Sequence, residues 1–176
     1  MPAGDSPLDI FLTQKPQLGR SVYLAQGAIV VGDVRIGDFS SVWYHAVLRG
    51  DINRIIVGHH TNIQDHAIVH LAEELPCQIG DYVTIGHAAI VHACTVGHET
   101  LIGMGATILD GAVIGDQCLI GARALVTQRS VIPSGSLVLG MPARVVRPLR
   151  AEEREALRTS AEKYVENALY CLEHSP

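Results

Sequence analysis

Aromatic side chains are scarce. Two phenylalanines, one tryptophan and five tyrosines make up 5% of 176 residues, although hydrophobic residues as a whole reach 48%. A core of small branched side chains, with seventeen glycines to make tight turns, suggests stacked short strands and not a helical bundle. Basic runs are also missing, and the formal net charge is −5. That balance argues against nucleic acid and anionic membrane as partners. Cys77, Cys94, Cys118 and Cys171 form no CxxC pair. With no signal peptide in front of them, reduced thiols in a cytoplasmic protein are expected. No apolar run approaches the roughly 20 residues that span a bilayer. The length fits one domain with a substantial core.

What the chain has is a period of six. Aliphatic anchors recur at Leu18, Leu24, Val30, Ile36, Val42 and Leu48, resume at Val57, Ile63 and Val69, and again at Ile79, Ile85 and Val91. After one five-residue step they run from Val96 through Ile102, Ile108, Ile114, Ile120, Val126 and Ile132 to Val138. Four residues after each anchor the side chain is small or modest, as at Ala46, Ala67, Ala89 and Ala106, and the next position is often glycine. Six fits neither the helical period nor simple alternation. It fits short strands joined by tight turns, three to a coil, around a triangular prism whose repeats must stack to bury their apolar sides. The expected fold is an all-β solenoid, a left-handed parallel β-helix of about seven triangular coils with a C-terminal α-helix. Residues 1–17 precede it as an irregular segment, with a short edge piece at 8–12. The β-helix domain covers 18–147, and 148–176 hold an amphipathic helix at Ala151–Glu173, with Leu157, Ala161, Tyr164, Val165, Ala168, Leu169 and Leu172 on its apolar side.

The repeat also says where histidines point. Counting anchors in threes puts Val30, Leu48, Val69, Val91, Ile108 and Val126 on one face, provided that the insertions near Asn53 and Glu74 bulge from corners. The residue after each anchor points outward, so His70 and His92 are stacked in consecutive coils although 22 positions apart in sequence, with Arg49 one coil below. Stacked strands lie about 4.8 Å apart, and two imidazoles there can reach one ion at about 2.0–2.1 Å. His87 sits at a corner, up to about 16 Å along the chain from His92, and the convex prism turns the two apart. One subunit does not readily close a three-histidine site. A symmetric trimer does, if the His87 corner of one subunit meets the His70–His92 face of the next. Asp65 shares the His87 corner column, and Gln64 lies beside it. His59, His60, His98 and His174 read as surface residues. His45 and His66 read as packed or solvated side chains, with the interface as the other option, and Cys94 as a buried or corner thiol.

The set Arg49-Gly50-Asp51, Asn62-Ile63-Gln64-Asp65, His70, His87 and His92, with Ile102-Gly103-Met104-Gly105-Ala106 and the closing Gly140-Met141-Pro142-Ala143, resembles the γ-class carbonic anhydrases, a family of hexapeptide-repeat proteins. The resemblance covers roughly Leu18 to Ala143. It implies a homotrimer in which His70 and His92 bind Zn²⁺, with Fe²⁺ or Co²⁺ as options, and His87 binds it from the neighbour. It implies an intersubunit ion pair between Arg49 and Asp65, with Asp51 a further contact around the site. It also implies that Gln64 and Asn62 orient the solvent and substrate. The reaction would be reversible hydration of CO2 to bicarbonate by a metal-bound hydroxide, since three neutral imidazoles and an open position form a catalytic pattern.

A proton relay is also needed. Glu73 on the Leu71–Gln78 loop is the candidate shuttle and Tyr164 a candidate site hydroxyl, against the plainer readings of a solvated loop residue and a packing residue. Two other functions compete. One is a hexapeptide-repeat acyltransferase using CoA thioesters, which needs no three histidines at metal spacing. The other is a catalytically weak metal-binding scaffold of the same family. It is favoured by the short acidic loop and by Ile52, which stands where the archetype has glutamate.

Overall fold

The computed structural model describes Asp9, Phe11 and residues 13–174. Residues 1–8, 10 and 12 of the N-terminal segment lie outside it, and the edge piece expected at 8–12 falls largely with them. From Gln17 onward the chain is a β-solenoid of about seven turns. Strands, many of only two or three residues, alternate with turns and pair in parallel between coils along three faces. The first face stacks Val30, Leu48, Val69, Val91, Ile108 and Val126 in register. The second stacks Val42, Ile63, Ile85, Ile102, Ile120 and Val138. The third stacks Ile36, Val57, Ile79, Val96, Ile114 and Ile132. These are the columns that counting anchors in threes produces.

Packing explains the alphabet of the repeat. The anchors meet on the prism axis, where Leu48, Ile63, Ile85, Ile102, Ile108 and Ile120 are fully buried, each contributing on the order of 1.5–3 kcal/mol. Near the corners the interior narrows and only small side chains fit, so Ala46, Ala67, Ala89, Ala106 and Ala112 are buried there. On the edge through Gly58 the coils approach so closely that a Cβ would stand 2.6 Å from the carbonyl carbon of Gly80.

The corners also hold non-glycine residues in the left-handed region, among them His45 (φ 57°), His66 (φ 58°) and Ala88 (φ 57°). Each costs roughly 1–2 kcal/mol, and hydrogen bonds between coils hold it, as from Ala88 N–H to the Asp65 carbonyl at 2.9 Å and from His66 N–H to the Tyr44 carbonyl at 3.0 Å.

The first insertion is absorbed without a loop. The strand Val47–Val57 crosses a corner, and residues 51–54 face the single residue Asp33. The second forms a small turn closed by an Ala72–Leu75 bridge. His59 and His98 are exposed but not idle: the Nδ1 of each accepts a backbone N–H from the adjacent coil, of Asp38 at 2.9 Å and Asp81 at 3.0 Å. His60 departs from its expected surface role. Its ring is half-buried and stacked between Phe39 and Tyr82.

At the top, Ser136–Gly140 turns back into an antiparallel strand, Ala143–Pro148, which the six-residue period does not announce. The C-terminal helix, Ala151–His174, then runs back along its own prism. It touches the second-face strands at Tyr23–Leu24, Ser41–Val42, Asn62–Ile63 and Thr84–Ile85. Trp43 is the pivot, edge-on to Tyr23 at 5.3 Å and to Tyr164 at 5.6 Å. Glu153 reaches back to the Arg150 N–H at 2.8 Å as a cap and pairs with Arg147 at 2.8 Å.

Candidate metal centre

His70 ends the strand Ile68–His70, His92 ends Ile90–His92, and the two pair directly across the coils. His70 Nδ1 lies 3.1 Å from His92 Nε2. Their other nitrogens are engaged: His70 Nε2 donates to Asp51 Oδ1 at 2.9 Å, and His92 Nδ1 donates to Asp110 Oδ1 at 2.6 Å. An ionised carboxylate only accepts, so each imidazole keeps its hydrogen on the carboxylate side. In the neutral rings that leaves the two facing nitrogens as the acceptors, the atoms that can take a cation between them. Two nitrogens bound tetrahedrally to one cation at 2.0–2.1 Å would stand about 3.3 Å apart, so the pair fits a metal with little movement.

Asp51 is ionised by its surroundings. Burial pushes its carboxyl up, but the hydrogen bond from His70 and the charge of Arg49 outweigh burial, and the net shift is downward. Arg49 pairs with Asp51 within the chain. Asp65 likewise pairs with His87 of its own chain, Oδ2 to Nδ1 at 2.8 Å, leaving His87 Nε2 as that ring's outer nitrogen. Among the described residues, no group of three or more His, Cys, Asp or Glu side chains in one chain is arranged to hold a metal. His87 thus stands apart from the His70–His92 pair.

His87 borders a groove of about 390 Å³ between the second face and the helix, lined also by Gln64, Thr84, Met104, Ser160 and Tyr164. Gln64 and Asn62 are buried and linked. Gln64 Nε2 donates to Asn62 Oδ1 at 3.1 Å, and Asn62 Nδ2 donates to Thr84 Oγ1 at 2.9 Å. Tyr164 reaches the groove from the helix. Burial, and secondarily the charge of Asp65, pushes its phenol above the ordinary value. Glu73 is exposed on its turn, where Asn53 Nδ2 donates to its carbonyl at 2.8 Å. Ile52 packs against the core.

Asp110 is the site neighbour that sequence reasoning missed. Its signal was available: it lies two residues after Ile108, which pairs with Val91 in the next coil, but it stands in a turn and not in the outward column.

A probable carbonic anhydrase of Methanocaldococcus jannaschii is 55% identical to the chain over 84% of this chain and 93% of its own length. A carbonic anhydrase of Geobacillus kaustophilus is 41% identical over 88% and 85%. Gamma carbonic anhydrase 2, mitochondrial, of Arabidopsis thaliana is 45% identical over 86% of this chain and 57% of its own length. The chain belongs to the γ-class carbonic anhydrase-like family. Its repeat also matches the family model described as bacterial transferase hexapeptide (six repeats), over residues 93–128. Two solved structures share the β-solenoid fold found here. One, from Bacillus cereus and provisionally called an acetyltransferase, has a TM-score of 0.88 at 40% identity, over 90% of this chain and 92% of that one. The other, a hexapeptide transferase family protein from Anaplasma phagocytophilum, has a TM-score of 0.84 at 40% identity, over 87% and 90%.

Proposed function

We propose that the protein is a homotrimeric metalloenzyme that reversibly hydrates CO2 to bicarbonate, with each metal held by His70 and His92 of one subunit and His87 of the next. The observation that carries this reading is the pair of imidazole nitrogens facing each other 3.1 Å apart, with both outer nitrogens hydrogen-bonded to carboxylates. Exposed apolar side chains support the trimer. Ile29, Ile68 and Ile90 stand out on the histidine face, while Tyr44 and Met104 stand out on the His87 corner, so the two surfaces that would meet are both apolar.

When bound, a divalent cation such as Zn²⁺, with Fe²⁺ or Co²⁺ as alternatives, supplies Lewis acidity at neutral pH. The chain's own residues orient and relay. The hydrogen bond to Asn62 fixes which end of the Gln64 amide is which, and its carbonyl oxygen is left to accept a hydrogen bond from the attacking water and so orient it. Asn62 takes part through this link to Gln64. Tyr164, kept protonated by burial, serves as a hydrogen-bond donor in the groove. Glu73, exposed on its turn, carries the proton to bulk solvent. Arg49 bridges to Asp65 of the neighbour across the trimer contact. The four free cysteines fit a reducing compartment such as the cytoplasm. The acyltransferase reading rests on the names of the solved structures, and it gives no role to the facing imidazole nitrogens.

Elemental analysis of anaerobically purified protein, with CO2 hydration measured on the same sample and on His92→Ala, tests the proposal. Close to one metal per subunit, with activity lost in the variant, is the expected result. A metal-free protein, or hydration that survives in His92→Ala, contradicts it.

A further inference from the structure

We infer that Asp110 is a positioning residue for metal capture, holding His92 so that Nε2 faces the cation. This rests on the metal reading above. The contact to His92 Nδ1 is 2.6 Å, against 2.9 Å for the equivalent contact of Asp51 with His70. His92 is also the more exposed of the two rings, with 30% of its side chain open against 15% for His70, so fewer neighbours within its own chain fix its orientation.

The turn that carries Asp110 is rigid. Its carbonyl accepts the Arg129 N–H of the coil above at 2.9 Å, the Gly111 N–H reaches the Ala93 carbonyl of the coil below at 2.7 Å, and the Ala112 N–H closes onto the Leu109 carbonyl at 3.1 Å. Gly111 takes φ +69°, which lets the chain turn sharply directly after the aspartate. The carboxylate is thus presented to the ring from a turn held by three backbone hydrogen bonds, the arrangement that selects one tautomer and raises ligand basicity. Charge points the same way. The three aspartates behind the three histidines, Asp51, Asp65 and Asp110, balance Arg49 and a divalent cation together. Removing Asp110 leaves the filled site with one positive charge uncompensated.

Zinc affinity of the full-length protein, measured by chelator competition for wild type, Asp110→Ala and Asp110→Asn, tests the inference alongside ¹⁵N imidazole spectra of the metal-free proteins. Asp110→Ala should bind zinc about 10- to 100-fold more weakly. Asp110→Asn, whose amide oxygen still accepts the Nδ1–H, should recover part of that loss. In the metal-free spectra, His92 should be protonated at Nδ1 in wild type and lose that preference in Asp110→Ala. Wild-type affinity in Asp110→Ala, or a His92 still held as the Nδ1–H tautomer, overturns the inference alone. A wild-type protein that takes up no zinc, iron or cobalt overturns the metal reading and the inference together.

Discussion

Asp51 joins His70 to Arg49: one carboxylate oxygen accepts from His70 Nε2 at 2.9 Å and the other pairs with the guanidinium. The residue is buried, so its two partners are also what keep it ionised. Asp51→Ala should therefore loosen a metal-binding ring and strand a guanidinium at once. We expect metal affinity to fall by at least about tenfold and stability by about 1–3 kcal/mol, read by chelator competition and urea unfolding. Asp51→Asn should fall between the variant and wild type.

Arg49 has an intrachain partner in the isolated subunit and a proposed partner, Asp65, across the trimer. Arg49→Ala is expected to shift the sedimentation profile toward smaller species and to lower metal content in parallel. A full-size trimer with full metal would separate Arg49 from the assembly.

Gln64 is fixed through Asn62 and Thr84 and lies away from the His70–His92 pair. Gln64→Ala should reduce kcat on the order of 100-fold while zinc content stays at the wild-type level. Loss of zinc in this variant would make Gln64 a structural residue.

The first turn of the helix carries its own pH dependence. Glu153 is held down to about 2 from 4.5, chiefly by its hydrogen bond to Arg147, then by the Arg150 N–H. A carboxyl lowered in the folded state contributes stability that is present above the unfolded value and lost as pH falls through the folded one. Acid titration should loosen the first turn of the helix between pH 4.5 and about 2, read by hydrogen exchange there, and Glu153→Gln should loosen that turn already at neutral pH.

Most of the prism could be read from the anchors, because one inward residue in six fixes both the strand and its face. The stacking of His70 on His92 followed from the same count, since the insertions at 51–54 and 72–75 stay at corners and leave the register intact. What lies off the strands was less legible. The antiparallel strand Ala143–Pro148 follows from chain reversal at Gly140–Ala143, which no period marks. Asp110 was missed because it stands at a corner, two residues after Ile108, off the outward column that carries His70 and His92. The left-handed corners at His45 and His66 were hidden because hydrogen bonds between coils, and not local preference, hold them there.

The central claim is that the metal is shared between subunits, and complementation tests it most directly. His87→Ala keeps the His70–His92 face and loses the corner; His92→Ala does the reverse. Co-expressed, the two form mixed trimers, each with one intact interface by cyclic symmetry. Zinc analysis should find one metal in each isolated mixed trimer and close to none in either variant alone. Mixed trimers with no more zinc than the parent variants would contradict a shared site.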